Sequence, residues 1–185
     1  MHIIAGRARG TKLASPEGRQ VRPTGQRTRE ALFNLLAGGR FAPQIEGAQV
    51  IDACAGTGAL GLEALSRGAE NVVFIEPDRE ALNCLSWNIT RLRAEAESQV
   101  IVSKVQKITS WAHQPCDILL IDAPYNKGIT EAGISALAKA GALQTGALIV
   151  AETHKSEALD LPDDFEVAER RSYGIAALHL MNWRG

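Results

Sequence analysis

The sequence predicts an α/β protein built on a seven-stranded, mostly parallel sheet with helices on both faces. Three observations predict it. Short β-branched and aliphatic runs alternate with segments of helical periodicity. The stretch Val50-Ile51-Asp52-Ala53-Cys54-Ala55-Gly56-Thr57-Gly58-Ala59-Leu60-Gly61 reads as strand, tight glycine turn and helix start. Strand-like runs also end on acids, at Asp52, Glu76 and Asp122, as they do where an open sheet gathers a ligand at its carboxyl edge.

The elements follow in order. His2 to Ala5 and Thr11 to Leu13 suggest a short hairpin around Arg7-Ala8-Arg9-Gly10, after which Pro16, Gly18 and Pro23 break regular structure. A helix from Thr24 or Gln26 to about Ala37 carries an apolar stripe of Ala31, Leu32, Leu35 and Leu36, closed by Gly38-Gly39. Residues 1–40 are thus expected as a basic arm of hairpin plus helix, and 41–185 as the sheet domain. After the strand at 50 and the helix Ala59 to Arg67, Asn71 to Ile75 makes a second buried strand ending at Glu76. Asp78 caps a helix through Ala81, Leu82, Leu85, Ile89 and Leu92, within which Trp87 is expected to pack. Gln99 to Val102 is a third strand and Ile118 to Ile121 a fourth, delivering Asp122-Ala123-Pro124-Tyr125. Thr130 to Lys139 is a helix and Ala147 to Ala151 a fifth strand ending at Glu152. Phe165 to Tyr173 and Ala176 to Trp183 close the sheet around Gly174.

Composition narrows the classes. At 185 residues, 45% hydrophobic and 22% charged, the chain suits one ordinary domain and has no apolar run of the roughly 18 residues that a membrane helix needs. The N-terminus lacks the apolar core of a secretory signal, so the cytoplasm is the expected place. Cys54, Cys84 and Cys116 are odd in number and widely spaced, which argues against a disulfide framework and a zinc site; no metal is expected. The net charge of -1 hides an asymmetry: residues 1 to 30 hold seven basic against two acidic residues, a net +5, and the rest thirteen against nineteen, a net -6. A basic arm on an acidic body suits docking of a polyanion.

Two cofactors suit the glycine turn. Gly56-x-Gly58-x-x-Gly61 with Glu76 further on has the spacing of a dinucleotide site, in which a pyrophosphate lies over the helix N-terminus. Asp52-x-x-x-Gly56-x-Gly58 favours a ligand with a positive centre, because a carboxylate sits poorly beside a pyrophosphate. Glu76 suits a ribose in either case, as in Rossmann-like folds. After the third strand stand Ser103, Lys104, Val105 and Gln106, where a resemblance to class I methyltransferases implies an acid that holds an adenine amine; a backbone contact near Val105 or Gln106 is expected instead.

Asp52-x-x-x-Gly56-x-Gly58 followed by Asp122-x-Pro124-Tyr125 resembles the amino-group methyltransferases whose signature is Asp/Asn-Pro-Pro-Tyr/Phe. More narrowly, Arg22-Pro23-Thr24, Arg27, Arg29-Glu30-Ala31-Leu32-Phe33-Asn34, the run from Gly58 to Ala69, and Tyr173-Gly174 are similar to the RsmD family, bacterial enzymes that methylate the exocyclic N2 of a guanine in 16S ribosomal RNA. The resemblance covers nearly the whole chain. It implies a class I methyltransferase fold and S-adenosylmethionine (SAM) as cofactor, held by Asp52, Ala53, Ala55, Gly56, Gly58, Glu76, Pro77 and Asp122. It implies that Asp122, Ala123, Pro124 and Tyr125 carry catalysis, that Arg7, Arg9, Arg22, Thr24, Arg27 and Arg29 contact RNA, and that a monomer acts on 16S RNA or the assembling small subunit. Ala123 stands where the family has Pro, which implies a less rigid loop. The alternatives are an amino-methyltransferase for DNA or protein, a non-catalytic RNA-binding assembly factor on the same fold, and a dehydrogenase.

Overall fold

The computed structural model describes residues 1–16, 23–38, 41 and 44–185; Arg22 and the side chain of Thr24 lie outside the described residues. Among the described residues four α-helices, α1 (Pro23–Ala37), α2 (Ala59–Ser66), α3 (Arg79–Leu92) and α4 (Ile129–Lys139), accompany seven strands. These are β1 (Gln49–Ala53), β2 (Asn71–Ile75), β3 (Ser98–Ile101), β4 (Cys116–Asp122), β5 (Leu143–His154), β6 (Phe165–Tyr173) and β7 (Ala176–Trp183). They form one sheet in the order β3-β2-β1-β4-β5-β7-β6, parallel except for β7, which is antiparallel to both neighbours. The predicted class I methyltransferase architecture, Rossmann-like with helices on both faces, is what the chain adopts.

Alternation along the strands explains why both faces are covered. In β4, Ile118 and Leu120 enter one apolar cluster with Leu62, Phe74 and Leu85, while Leu119 and Ile121 enter a second with Ile134 and Leu137. Helices α1, α2 and α3 therefore lie over one face and α4 over the other. Ile3 and Leu13 of the hairpin and Leu32, Phe33 and Leu36 of α1 belong to the first cluster, so the arm shares the core of the sheet. Burying side chains of this size stabilises by about 1.5–3 kcal/mol each. Gly61 is a matter of fit: a Cβ there would lie 2.4 Å from Cε1 of Phe74 and 2.7 Å from Cγ1 of Val72, so α2 rests on β2 only without a side chain at that point.

Several boundaries and one side chain differ from expectation. The hairpin forms but is short, a bridge between His2 and Lys12 with the Ile3 amide donating to the Thr11 carbonyl and the Leu13 amide to the Met1 carbonyl, each at 3.0 Å. β5 begins at Leu143, because Leu143 pairs with Cys116 of β4, and its far end continues to His154 paired with Ala176 of β7. The exposed Gln144, Thr145 and Gly146 hide that start from an apolar pattern. Trp87 does not pack in the core: it is 49% exposed, with the guanidinium of Arg91, one turn along α3, 4.8 Å from its ring centroid.

Candidate functional site

β1 and β4 are neighbours whose onward crossovers leave to opposite faces, which opens a crevice at their carboxyl ends. A cleft of about 870 Å³ lies there, within the usual range for small ligands. Asp52 from β1, Glu76 from the end of β2 and Asp122 from β4 all line it.

The glycine turn is built around two of these acids. Gly58 takes the left-handed φ of +79° as the residue before α2, which a side chain there would resist. Asp52 is 1% exposed and its Oδ2 accepts from the Gly61 amide at 2.8 Å. Glu76 Oε2 accepts from the Gly56 amide at 2.8 Å and Oε1 from the Asp78 amide at 2.8 Å, while the Gly58 amide donates to the Ala55 carbonyl at 2.8 Å. All three glycine amides are thus engaged within the protein, two of them by carboxylates. Carboxylates on the turn's own amides are poor neighbours for a pyrophosphate, which disfavours the dinucleotide alternative.

The electrostatics favour a positive ligand instead. Burial holds the Asp52 carboxyl well above the ordinary carboxylate range; the Gly61 amide pulls it down, and Asp122 and Glu76 push it further up. The Cys54 thiol, on the same turn, is pushed up to about 12 by burial and by Glu76, Asp52 and Asp122. A cation among these carboxylates relieves both effects, as the SAM sulfonium and ammonium do. The space over Gly56 is open, with nothing within 4 Å of a Cβ built there. Ala55 and Pro77 line the cleft, whereas Ala53 is fully buried in the second cluster and Gly58 is buried beneath the turn. Lys104, Val105 and Gln106 line another stretch of the cleft wall, as do Pro77, Asp78 and Ala81. These residues fit SAM.

Asp122 and Pro124 are exposed into the cleft and Tyr125 is half-buried, while Ala123 is 3% exposed. The Tyr125 hydroxyl donates to Oε1 of Glu152 at 2.6 Å, and its ring meets the His154 ring edge-on at 5.9 Å between centroids. Glu157 accepts from the amides of Asn126 at 3.0 Å and His154 at 3.2 Å. The loop is therefore anchored to the end of β5 despite Ala123, by bonds that neighbouring sequence does not announce. Glu152 was legible only as the end of a strand; its register opposite Asp122 puts it in the cleft.

The arginines expected on RNA part company. Arg9 and Arg27 are exposed, and Arg7 is exposed but paired with Glu97. Arg29 is not at the surface: it is 4% exposed, and its Nη2 donates to the His2 carbonyl at 2.8 Å. It lines the cleft beside Met1 and Leu32. Its place follows from α1 lying across the hairpin. The partner that sequence reading missed is Glu63, fully buried on α2, which accepts from the amides of Ile4 at 2.7 Å and Ala5 at 3.0 Å and from Arg67 Nε at 2.7 Å. An acid inside the apolar run Ala59–Ser66 was the available signal, since buried carboxylates are paired. Asn88, also fully buried, takes the Ala14 amide at 2.7 Å and donates to the Thr57 carbonyl at 2.9 Å, tying the hairpin's exit to the glycine turn.

Among the described residues no helix is long and apolar enough to cross a membrane, and no group of three or more His, Cys, Asp or Glu is placed to hold a metal ion. Residues 1–182 match the model of a family described as conserved hypothetical protein 95. The chain is 36% identical over 181 residues to the ribosomal RNA small subunit methyltransferase D of Escherichia coli K12, covering 97% of this chain and 88% of that one. It is 34% identical over 183 residues to the protein of the same name from Haemophilus influenzae, covering 97% and 92%. A solved Escherichia coli protein, yhhF, provisionally described as a methyltransferase, superposes with a TM-score of 0.85 at 34% identity, covering 100% of this chain and 98% of that one.

Proposed function

This chain belongs to the RsmD family, and from that premise we propose that it is a SAM-dependent methyltransferase acting on the exocyclic N2 of a guanine in small-subunit ribosomal RNA. The observation that carries the reading is the convergence of the Asp52–Glu76 turn and the Asp122–Tyr125 loop on one cleft. The names of the relatives support ribosomal RNA as the acceptor.

SAM supplies an electrophilic methyl on a positively charged sulfur. Asp52, Glu76 and Asp122 supply the negative surroundings in which that charge is held. The lone pair of an exocyclic amine is delocalised into its base and attacks poorly. Asp122 and the carbonyls of Ala123 and Pro124 accept its N–H bonds, holding the nitrogen in line with the methyl and favouring the charge that develops on it. Once methylated with SAM as donor, the nitrogen would carry one proton to lose, and Asp122 would receive it. Tyr125, fixed through its hydroxyl on Glu152, offers a ring for the base to stack on. Extruding a stacked guanine costs a few kcal/mol, which such stacking offsets in part. Arg9 and Arg27 meet the RNA backbone, and Arg29 acts from inside by holding α1 on the hairpin.

Calorimetry with SAM and with NADH, followed by labelled-methyl transfer to small-subunit RNA, DNA and protein acceptors, tests the reading. Binding of SAM and label in the RNA alone are expected. Preference for NADH, or label in DNA or protein, overturns it.

A further inference from the structure

Glu152 lies two residues before the end of β5, beside the loop on which the acceptor amine is expected. Asp122 and Glu152 are partners in the parallel register of β4 and β5, so their Cα atoms sit side by side at the cleft's rim. Both line the cleft, with Tyr125 between them in function: its hydroxyl donates to Glu152 Oε1 at 2.6 Å, which sets the orientation of that carboxylate.

Two neighbouring carboxylates select among bases by where donors lie. In adenine and cytosine the exocyclic amine stands next to a ring nitrogen that is an acceptor, and a carboxylate facing it is repelled. In guanine the amine stands next to N1–H, a donor. Only guanine presents amine and ring donors together to a pair of acceptors.

We infer that Glu152 is the specificity-determining residue of the acceptor site: it accepts the guanine N1–H while Asp122 accepts from N2, and so admits guanine and rejects adenine and cytosine. This rests on the methyltransferase reading above and deepens it. Facing a carboxylate against a ring acceptor in the half-buried site of Glu152 is the kind of mismatch that sites discriminate against.

The test uses small-subunit RNA carrying either guanine or 2-aminopurine at the position that takes the methyl. 2-Aminopurine keeps the amine and lacks N1–H, and its intrinsic reactivity cancels when the guanine to 2-aminopurine ratio of kcat/KM is compared between proteins. The wild type should favour guanine by roughly a hundredfold or more. Glu152→Gln, whose amide donates to the bare ring nitrogen, should bring the ratio within about tenfold. Glu152→Asp, which restores a carboxylate, should keep more of the ratio than Gln even at reduced rate. SAM affinity, read in parallel, should change less than twofold in both. Equal ratios in wild type, Gln and Asp overturn the inference and leave Glu152 as an anchor for Tyr125. Absence of transfer by the wild type to guanine RNA, with SAM bound, overturns instead the acceptor reading beneath it.

Discussion

Replacing Glu63 by Ala should unfold the link between the basic hairpin and the sheet. The wild-type carboxylate is fully buried and accepts three hydrogen bonds, from the amides of Ile4 and Ala5 and from Arg67, which itself lies 4.9 Å from the ring centroid of Phe33 in α1. It also offsets the burial of Arg29, whose guanidinium is held below its ordinary value by desolvation and raised by Glu63. Removing it leaves two amides short of an acceptor and two guanidinium groups short of a counter-charge. Breaking a buried pair of this kind costs about 3–5 kcal/mol, which for a chain of this length lowers Tm by roughly 8–15 °C. Thermal unfolding followed by circular dichroism, with and without saturating SAM, reads the change. Because Glu63 supports the hairpin rather than the cofactor turn, RNA affinity should fall more than SAM affinity when both are measured well below Tm. A fall in Tm of less than about 3 °C would refute the account of how the arm is held.

Other consequences follow from single positions. Gly61→Ala drives a methyl into Phe74 and Val72 and should cost about 1–3 kcal/mol in urea unfolding, whereas Gly56→Ala meets no neighbour and should cost about 1 kcal/mol from its left-handed φ of +56° while lowering SAM affinity; a larger stability loss in Gly56→Ala than in Gly61→Ala would contradict the packing. Asp52 has a folded pKa raised above its ordinary 3.8, so the native state binds the proton more tightly than the unfolded one. Without SAM its contribution is present below 3.8 and is lost as pH rises through the folded value, so stability falls over that window and Asp52→Asn flattens the slope; parallel slopes for the two proteins would contradict this. SAM affinity should rise over the same window as the carboxylate ionises, in calorimetry at several pH values. Cys54, with its thiol at about 12, should react with iodoacetamide at pH 8 far more slowly than free cysteine; mass spectrometry that finds it alkylated at the free rate would remove the crowding of carboxylates around it.

The parts legible in the sequence are those written in local pattern. The buried strand Asn71–Ile75, the edge strand Phe165–Tyr173, the cap at Asp78 and the two motifs at Asp52 and Asp122 stand where periodicity and turn chemistry put them. What sequence hid is long-range. Glu63 reaches the amides of residues 4 and 5 across 59 and 58 positions, and Asn88 reaches Ala14 across 74. Glu152 enters the cleft through the pairing of β4 with β5, and Arg29 leaves the surface because α1 crosses the hairpin. Trp87 looked like core by its place in an apolar helix, yet the face that carries it looks outward, and Arg91 rather than the sheet covers its ring.

The central claim is that strand-tip carboxylates hold a sulfonium cofactor on one side of a cleft and an exocyclic amine on the other. Its most direct measurement is digestion of small-subunit RNA to nucleosides after incubation with methyl-labelled SAM and either the wild type or Asp122→Ala. Label in N2-methylguanosine with the wild type, and its loss in the variant, is the predicted result. Label in any other nucleoside, or undiminished N2-methylguanosine with Asp122→Ala, contradicts it.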